Sequence, residues 1–271
     1  MIKFNHNTMD NINLYLVGTL HTDLDGKKRL DILLNRLSPS IVALEFHKER
    51  EDFTPLRKSQ KEEQKEINAM IGESDLTLSP RQKATLIEST KRICNALDYE
   101  FKSSRDYVAR NKNSRLEYID ISFFTNGREE FAKGANETVK YMLKSVAEEP
   151  ELAKTFLKRF DGGIGAVLRN FRRHVNEIYK NAEEMAELME IIRKPESFEM
   201  MSKKMSPKAI QSLKQIYDPK RDENMGKRVR ELYDGKSRLV AVVGLAHLHA
   251  LKTKVSDLEP TAITLAEYKS V

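Results

Sequence analysis

Two similar apolar runs near opposite ends of the chain constrain its fold most. Residues 14–21 are LYLVGTLH and residues 240–247 are VAVVGLAH, so each run ends in Val-Gly-x-x-His. A continuous Val/Leu/Ile run of this length predicts a strand buried on both faces, as in a parallel sheet covered by helices. Glycine allows close backbone approach at the carboxyl edge of such a sheet, where α/β proteins bind ligands. The pattern therefore predicts that His21 and His247 point into one crevice.

Two further apolar runs carry an acidic residue near their ends. Residues 40–46, SIVALEF, include Glu45, and residues 116–121, LEYIDI, include Asp120. If the four strands are parallel neighbours, these carboxylates and the two histidines share one edge of the sheet. Such a cluster binds a divalent metal or carries out acid–base chemistry. One histidine after a strand is usually just the first polar residue of a loop, but four such residues favour a site. Asp120 could instead cap a following helix.

The remaining periodicity predicts an α/β fold: a mostly parallel sheet with flanking helices and a large inserted helical subdomain. Apolar spacing within residues 21–40 predicts a crossover helix, which completes a βαβ unit. Helices are also predicted over residues 80–96 and 99–110, and residues 127–218 show only helical periodicity. We therefore predict an α/β catalytic core of residues 1–126 and 219–271, with residues 127–218 as a helical insertion or lid.

Composition narrows the class of protein. The chain has 271 residues, 39% of them hydrophobic and 32% charged. No run approaches ~18 apolar residues, so no membrane span is predicted, and the first residues do not resemble a secretory signal. The single Cys94 permits no internal disulfide, which fits a cytoplasmic protein.

The net charge of +6 does not by itself indicate nucleic-acid binding. The 47 basic residues are interleaved with 41 acidic ones along helical segments, a pattern typical of solvated helix surfaces. Aromatic residues do not alternate with basic ones as in nucleic-acid-binding strands. We therefore expect no nucleic acid among its partners. The oligomeric state stays open, a homo-oligomer included.

Polar residues follow the Glu45 strand over residues 47–80. This segment predicts a loop with an exposed helix at residues 59–70, and it could cover the site as a lid. His47 could be a further ligand, although a loop histidine is favoured. His174 lies on a basic helix face and is expected to be solvated. The role of His249 is not predicted.

For three charged residues of predicted helices, sequence spacing alone does not decide between a structural and a functional role. Glu100 looks like an ordinary acid in the first turn of a helix, where the helix dipole favours it. Asp222 can cap a helix that runs to Leu232, and Arg221 stands at the foot of that helix. Its guanidinium could bind a substrate carboxylate or steady an oxyanion, although spacing alone favours a surface arginine.

Several of these motifs, taken in order, resemble those of the TraB/PrgY/GumN and TIKI superfamily, whose members share two GxxH motifs and a glutamate. The motifs are VGTLH, ALEF, the Glu100 helix followed by YID, RDENM and VVGLAHLHAL. The resemblance implies an erythromycin-esterase-like and ChaN-like α/β core. For the TIKI branch it implies a metal-dependent peptidase that favours manganese or cobalt. Many members have a membrane segment after the core, which this sequence lacks, so membrane attachment is not carried over.

The motif positions assign roles to individual residues. The two GxxH histidines are His21 and His247, and the glutamate of the second strand is Glu45. The resemblance also points to Glu100 in mid-chain and to Arg221 before the last motif.

The leading hypothesis is a metal-dependent hydrolase that acts on peptides. His21, Glu45 and His247 would hold one divalent ion, manganese or cobalt according to the resemblance and zinc as an alternative, with a water in an open position. Glu45 could instead be the base, which would leave the metal with fewer protein ligands.

Other residues would assist this chemistry. Glu100 or Asp120 would relay the proton, and Arg221 would steady the developing charge. Two alternatives remain. One is a metal-independent, esterase-like hydrolase in which a histidine paired with Glu45 activates water. The other is a non-catalytic protein that binds a peptide or small ligand.

Overall fold

Five parallel strands form a single sheet in the computed structural model, which describes residues 13–47, 77–121 and 128–267 and isolated positions between 65 and 72. The strands are β1 (Leu14–Thr19), β2 (Ile41–Leu44), β3 (Arg115–Tyr118), β4 (Leu239–Gly244) and β5 (Thr261–Thr264). Their order is β3-β2-β4-β1-β5, and every neighbouring pair is parallel. The predicted α/β fold with a parallel sheet is confirmed.

The two strands with Val-Gly-x-x-His motifs, β1 and β4, lie side by side in the middle of the sheet. All six residues of each strand are buried, as their apolar sequences require. Gly18 pairs with Val243, and Thr19 pairs with Gly244, so the two motifs are one residue out of step. The second motif therefore leaves the sheet at its glycine, whereas the first continues for one more strand residue.

The edge strand β3 differs from the central strands. Its residues are exposed or only half-buried, and Arg115 pairs with Glu117 at 3.1 Å along the strand. Charged residues on an edge strand discourage pairing with another chain. Asp120 follows two residues after this strand.

Eleven α-helices occur within the described residues. They are α1 (Gly26–Leu37), α2 (Pro80–Ala96), α3 (Tyr99–Arg110), α4 (Arg128–Glu148), α5 (Pro150–Asp161), α6 (Gly163–Lys180), α7 (Ala182–Ile192), α8 (Pro195–Ser202), α9 (Pro207–Ile216), α10 (Pro219–Leu232) and α11 (Leu245–Lys254). Short 3-10 turns cover Ser256–Leu258 and Leu265–Glu267. Proline opens α5, α8, α9 and α10, because its missing N–H costs nothing at the first helical position.

Every regular element that the structure describes between β3 and β4 is an α-helix, as predicted. Asn181 separates α6 from α7. Helices α4 and α9 pack closely, because Gly134 leaves room for the Ser212 side chain. They meet beside a small apolar cluster, apart from the main core, that is centred on Met205, Ala209 and Ile210. The division into core and lid stays a prediction.

Two further points concern the described helices and the segment after β2. Among the helices of the described ranges, none is long and apolar enough to cross a membrane. Most of the helix predicted over residues 59–70, and most of the polar segment that contains it, lies outside the described residues.

Candidate active site

The structure brings three predicted residues together at the carboxyl edge of neighbouring strands β1, β4 and β2. His21 lies two residues after β1, Glu45 directly follows β2, and His247 stands in the first turn of α11, which begins where β4 ends. Gly244 marks the centre. A Cβ atom on Gly244 would lie 3.2 Å from both Glu45 Oε2 and His21 Nε2, so those two atoms are within twice that distance of each other. Only a glycine leaves this crevice open.

Glu45 is buried, and both of its oxygens are bound. The Arg221 Nη2 group donates to Oε1 at 2.6 Å, and the Gly244 N–H donates to Oε2 at 2.5 Å. Burial alone would raise the pKa of Glu45. The charges of His247 and His21 when these rings are protonated, the charge of Arg221 and the Gly244 N–H together outweigh burial and lower its pKa to about 2. Glu45 is therefore a carboxylate throughout the neutral range.

Arg221 is buried in the first turn of α10, so the alternative of a surface arginine is wrong. Its Nη2 group donates to Asp120 Oδ2 at 2.6 Å as well as to Glu45, and its Nη1 group donates to the Ile216 carbonyl at 2.6 Å. Burial acts to lower the pKa of Arg221, but the two carboxylates raise it above its ordinary value. Because Arg221 bonds both Glu45 and Asp120, its charge offsets the repulsion between these two buried carboxylates.

His247 is oriented by Asp222. The two side chains meet at 2.5 Å between His247 Nδ1 and Asp222 Oδ1. An ionised carboxylate can only accept a hydrogen bond, so the contact with Asp222 assigns the ring proton of His247 to Nδ1. The other nitrogen, Nε2, lies 3.4 Å from Glu45 Oε1. The predicted cap role of Asp222 is wrong, because Asp218 caps α10 by accepting the Lys220 N–H.

Arg193, which the sequence analysis missed, also holds this pair. It lies just beyond the end of α7, and its side chain is only 7% exposed. Its Nη1 group contacts Asp222 Oδ2 at 2.8 Å, and its Nη2 group lies 3.3 Å from both the Ala246 carbonyl and His247 Nδ1. The helical segment between β3 and β4 thus contributes a charged group to the site. A basic residue at a helix end is too common a pattern to predict such a contact.

Like His247, His21 bonds a buried carboxylate, but its own side chain is much more exposed. Its Nδ1 donates to Glu100 Oε1 at 2.9 Å, while its Nε2 faces the crevice beside Gly244. Glu100 is buried in the first turn of α3, but the His21 side chain is 57% exposed. The preceding Leu20 backbone is held on both sides, because Tyr179 accepts its N–H at 2.9 Å and Tyr99 donates to its carbonyl at 3.2 Å.

The remaining histidines described by the structure lie elsewhere. His249 is exposed on α11, two residues from His247 and therefore on another side of the helix. His174 is exposed, as predicted, 3.9 Å from Glu177. His47 is half-buried and ends a described stretch.

The residue types in the crevice suit a divalent ion, but the distances between them do not bring three ligands together. Each histidine donates Nδ1–H to a carboxylate, as metal-binding histidines usually do. The 3.4 Å between His247 Nε2 and Glu45 Oε1 also suits two ligands of one ion at ~2.0–2.2 Å from each. However, no three His, Cys, Asp or Glu side chains of the described ranges are grouped so that they could hold a metal ion. His21, the third predicted ligand, therefore does not complete such a group with Glu45 and His247.

A comparison with protein families identifies the chain. The model of the TraB/PrgY/gumN family matches residues 3–264, nearly the whole sequence, so the chain belongs to this family. Comparisons with curated proteins and with solved structures find no match.

Proposed function

We propose that this member of the TraB/PrgY/gumN family is a hydrolase that activates water between two histidines and Glu45. One observation carries the proposal. His21 and His247 each bond a buried carboxylate through Nδ1, and each thereby turns Nε2 toward Glu45. In the neutral ring this Nε2 has a lone pair, which can take a proton from water.

His247 is suited to be the general base. Its Nε2 lone pair and Glu45 Oε1 are both acceptors 3.4 Å apart, an arrangement that favours a proton donor such as water beside them. Asp222 would stabilise the imidazolium that forms, as the aspartate of a Ser-His-Asp triad does. Glu45 itself is a poor base near neutrality, because a carboxylate whose pKa is about 2 holds a proton only weakly.

His21 is suited to contact the substrate. Its ring is exposed at the crevice, and Glu100 would stabilise its protonated form, so it can donate a proton to the leaving group. In this scheme Glu100 acts through His21. Asp120 acts through Arg221, which holds Glu45 rather than an oxyanion of the substrate.

The role of a metal ion stays part of the proposal. A divalent ion, with manganese or cobalt expected before zinc, would be held by His21, Glu45 and His247. When bound, such an ion lowers the pKa of a coordinated water toward ~7. Because the three residues do not close around one point here, the proton transfers above are assigned to the imidazoles alone.

Peptides are the proposed substrates, since the sequence resembles the TIKI branch of peptidases. We also propose that the chain acts in the cytoplasm, because its single Cys94 can form no internal disulfide.

The test is cleavage of a mixed peptide library, with products read by mass spectrometry. We expect the wild-type chain to cleave, and His247→Ala to lose at least ~100-fold in rate, the usual contribution of a general base. His249→Ala, on the same helix but exposed, is the matched control. Repeating the assay after chelation, and again with Mn²⁺, Co²⁺ or Zn²⁺ restored, decides whether a metal is needed. Cleavage that survives His247→Ala would reject the proposed base.

A further inference from the structure

A cavity of about 350 Å³ lies between α1, α2, α3 and α6. Each helix supplies one cationic side chain to its lining: Lys27, Arg92, Lys102 and Arg172. Apolar side chains, including the buried Leu168, complete the lining. This volume lies within the range of small-molecule sites, and such sites combine an apolar lining with a few convergent polar groups.

Asp23 is the one acid among the described lining residues, and its charge is already matched. Its side chain is buried, and Arg29 Nη1 contacts its Oδ2 at 3.1 Å while the Asp25 N–H donates to its Oδ1 at 2.9 Å. The described lining therefore carries a net positive charge, with four cations against one acid that is already paired.

The existing ion pairs of the lining cations are exposed, so a ligand can compete for these cations. Exposed ion pairs are weak and are screened by solvent, so an entering anion can compete for the cation. Within the described residues, Lys102 has no ion-pair partner, and the other three cations form exposed pairs. These pairs are Lys27 with Asp31 at 2.9 Å and with Asp106 at 3.3 Å, Arg92 with Glu88 at 3.0 Å and Arg172 with Asp25 at 3.1 Å.

We propose that this cavity binds a small ligand with a multiply charged anionic group, a phosphate ester or a polycarboxylate. Two guanidinium groups and two ammonium groups from four helices suit several anionic oxygens at once. The cavity also adjoins the candidate active site. Tyr99 lines it, and the next residue, Glu100, bonds His21. A bound anion would therefore sit close to the exposed histidine, as a substrate anchor or as an effector.

Isothermal titration calorimetry on the whole chain at low salt tests this inference. Inorganic phosphate and citrate are the probes, and uncharged glycerol is the control. We expect saturable binding of one anion per chain that weakens as salt is added, because salt screens the cations. The stronger of the two anions indicates which oxyacid the site prefers. Absence of saturable binding by either anion would overturn the proposal.

Two pairs of variants locate the site, and each pair combines a residue of the cavity lining with an exposed control residue. Arg172→Glu should weaken anion binding roughly tenfold or more, since it reverses a charge in the lining. Arg173→Glu should not, because Arg173 is exposed on the same helix and bonds Asn170 instead. Lys102→Glu and the exposed Lys112→Glu form the second pair, and circular dichroism verifies that each variant folds. Equal weakening in the control of each pair would place the binding elsewhere.

The inference does not depend on the proposed hydrolase activity. His247→Ala should bind phosphate or citrate as the wild-type chain does, even if it cleaves nothing. Loss of anion binding in this variant would contradict a separate cavity and assign the anion to the active-site crevice.

Discussion

The two Val-Gly-x-x-His motifs have the same spacing but different surroundings. The motif of β1 ends in a turn, and its His21 side chain is 57% exposed. The motif of β4 continues directly into α11, and its His247 side chain is 5% exposed. Both histidines bond a buried carboxylate, but within the described part of the chain an arginine pairs only with the carboxylate of His247, where Arg193 contacts Asp222. The comparison supports the proposed division of roles, in which His247 is a buried base and His21 is exposed to the substrate.

The glycines of the two motifs, Gly18 and Gly244, also have different surroundings. A Cβ on Gly18 would lie 2.7 Å from Leu248 and 3.0 Å from Leu245, so this glycine lets α11 pack across β1. A Cβ on Gly244 would instead reach Glu45 and His21 at 3.2 Å. Gly18 leaves space for a packed helix, and Gly244 leaves the space between Glu45 and His21 open.

Disabling the buried pair should have the largest effect. Asp222→Asn removes the carboxylate that fixes the proton on His247 Nδ1, so hydrolysis should fall by about 100- to 10,000-fold, as when a catalytic aspartate is neutralised. Steady-state peptide cleavage measures the loss. An Asp222→Asn rate close to that of the wild-type chain would contradict the role of His247 as base.

Removing the arginine of the buried pair should destabilise the fold. Arg193→Met leaves Asp222 buried without its cation, and breaking a buried ion pair costs about 3 to 5 kcal/mol. Urea unfolding gives the change in the free energy of unfolding. Arg173→Met, an exposed arginine of α6, should change it by less than ~0.5 kcal/mol. Equal effects in the two variants would mean that the Arg193 contact adds nothing.

Acid should destabilise the buried side of the site through Glu45. Its pKa in the folded protein, about 2, is below its ordinary value of 4.5. The stabilisation is therefore complete above pH 4.5 and is lost as the pH falls toward 2, amounting to about 3 kcal/mol. Unfolding measured across this range should show a smaller loss in Glu45→Gln. An equal acid sensitivity in that variant would assign the effect to other groups.

Disturbing the exposed pair should have the smallest effect. Glu100→Gln keeps the shape of the side chain but weakens its bond to His21, whose exposed ring is already solvated. We expect a rate loss of roughly tenfold and a stability change below about 1 kcal/mol. A loss as large as that of Asp222→Asn would show that the two histidines are equivalent after all.

The central sheet could be predicted because its sequence is locally informative. Apolar runs at residues 14–21 and 240–247 can only be satisfied inside a covered parallel sheet, and the structure pairs them side by side. The position of Glu45 at the edge followed from the same reasoning, since the end of a strand is visible in the sequence.

The partners of the histidines could not be predicted, because they depend on contacts between distant parts of the chain. Asp222 looked like a helix cap, but it bonds a histidine 25 residues away. Arg193 looked like any basic residue at the end of a helix, but the packing of α7 against α11 buries it. Local patterns do not record which helix ends meet in three dimensions.

The most direct test is the tautomer of the two active-site rings, measured by NMR on chain labelled with ¹⁵N-histidine at pH ~8, where imidazole is ordinarily neutral. The variants His21→Ala and His247→Ala assign their signals among the six histidines. We predict that both rings carry the proton on Nδ1 and leave Nε2 bare toward Glu45. A neutral ring protonated on Nε2 at either position would contradict the proposed site.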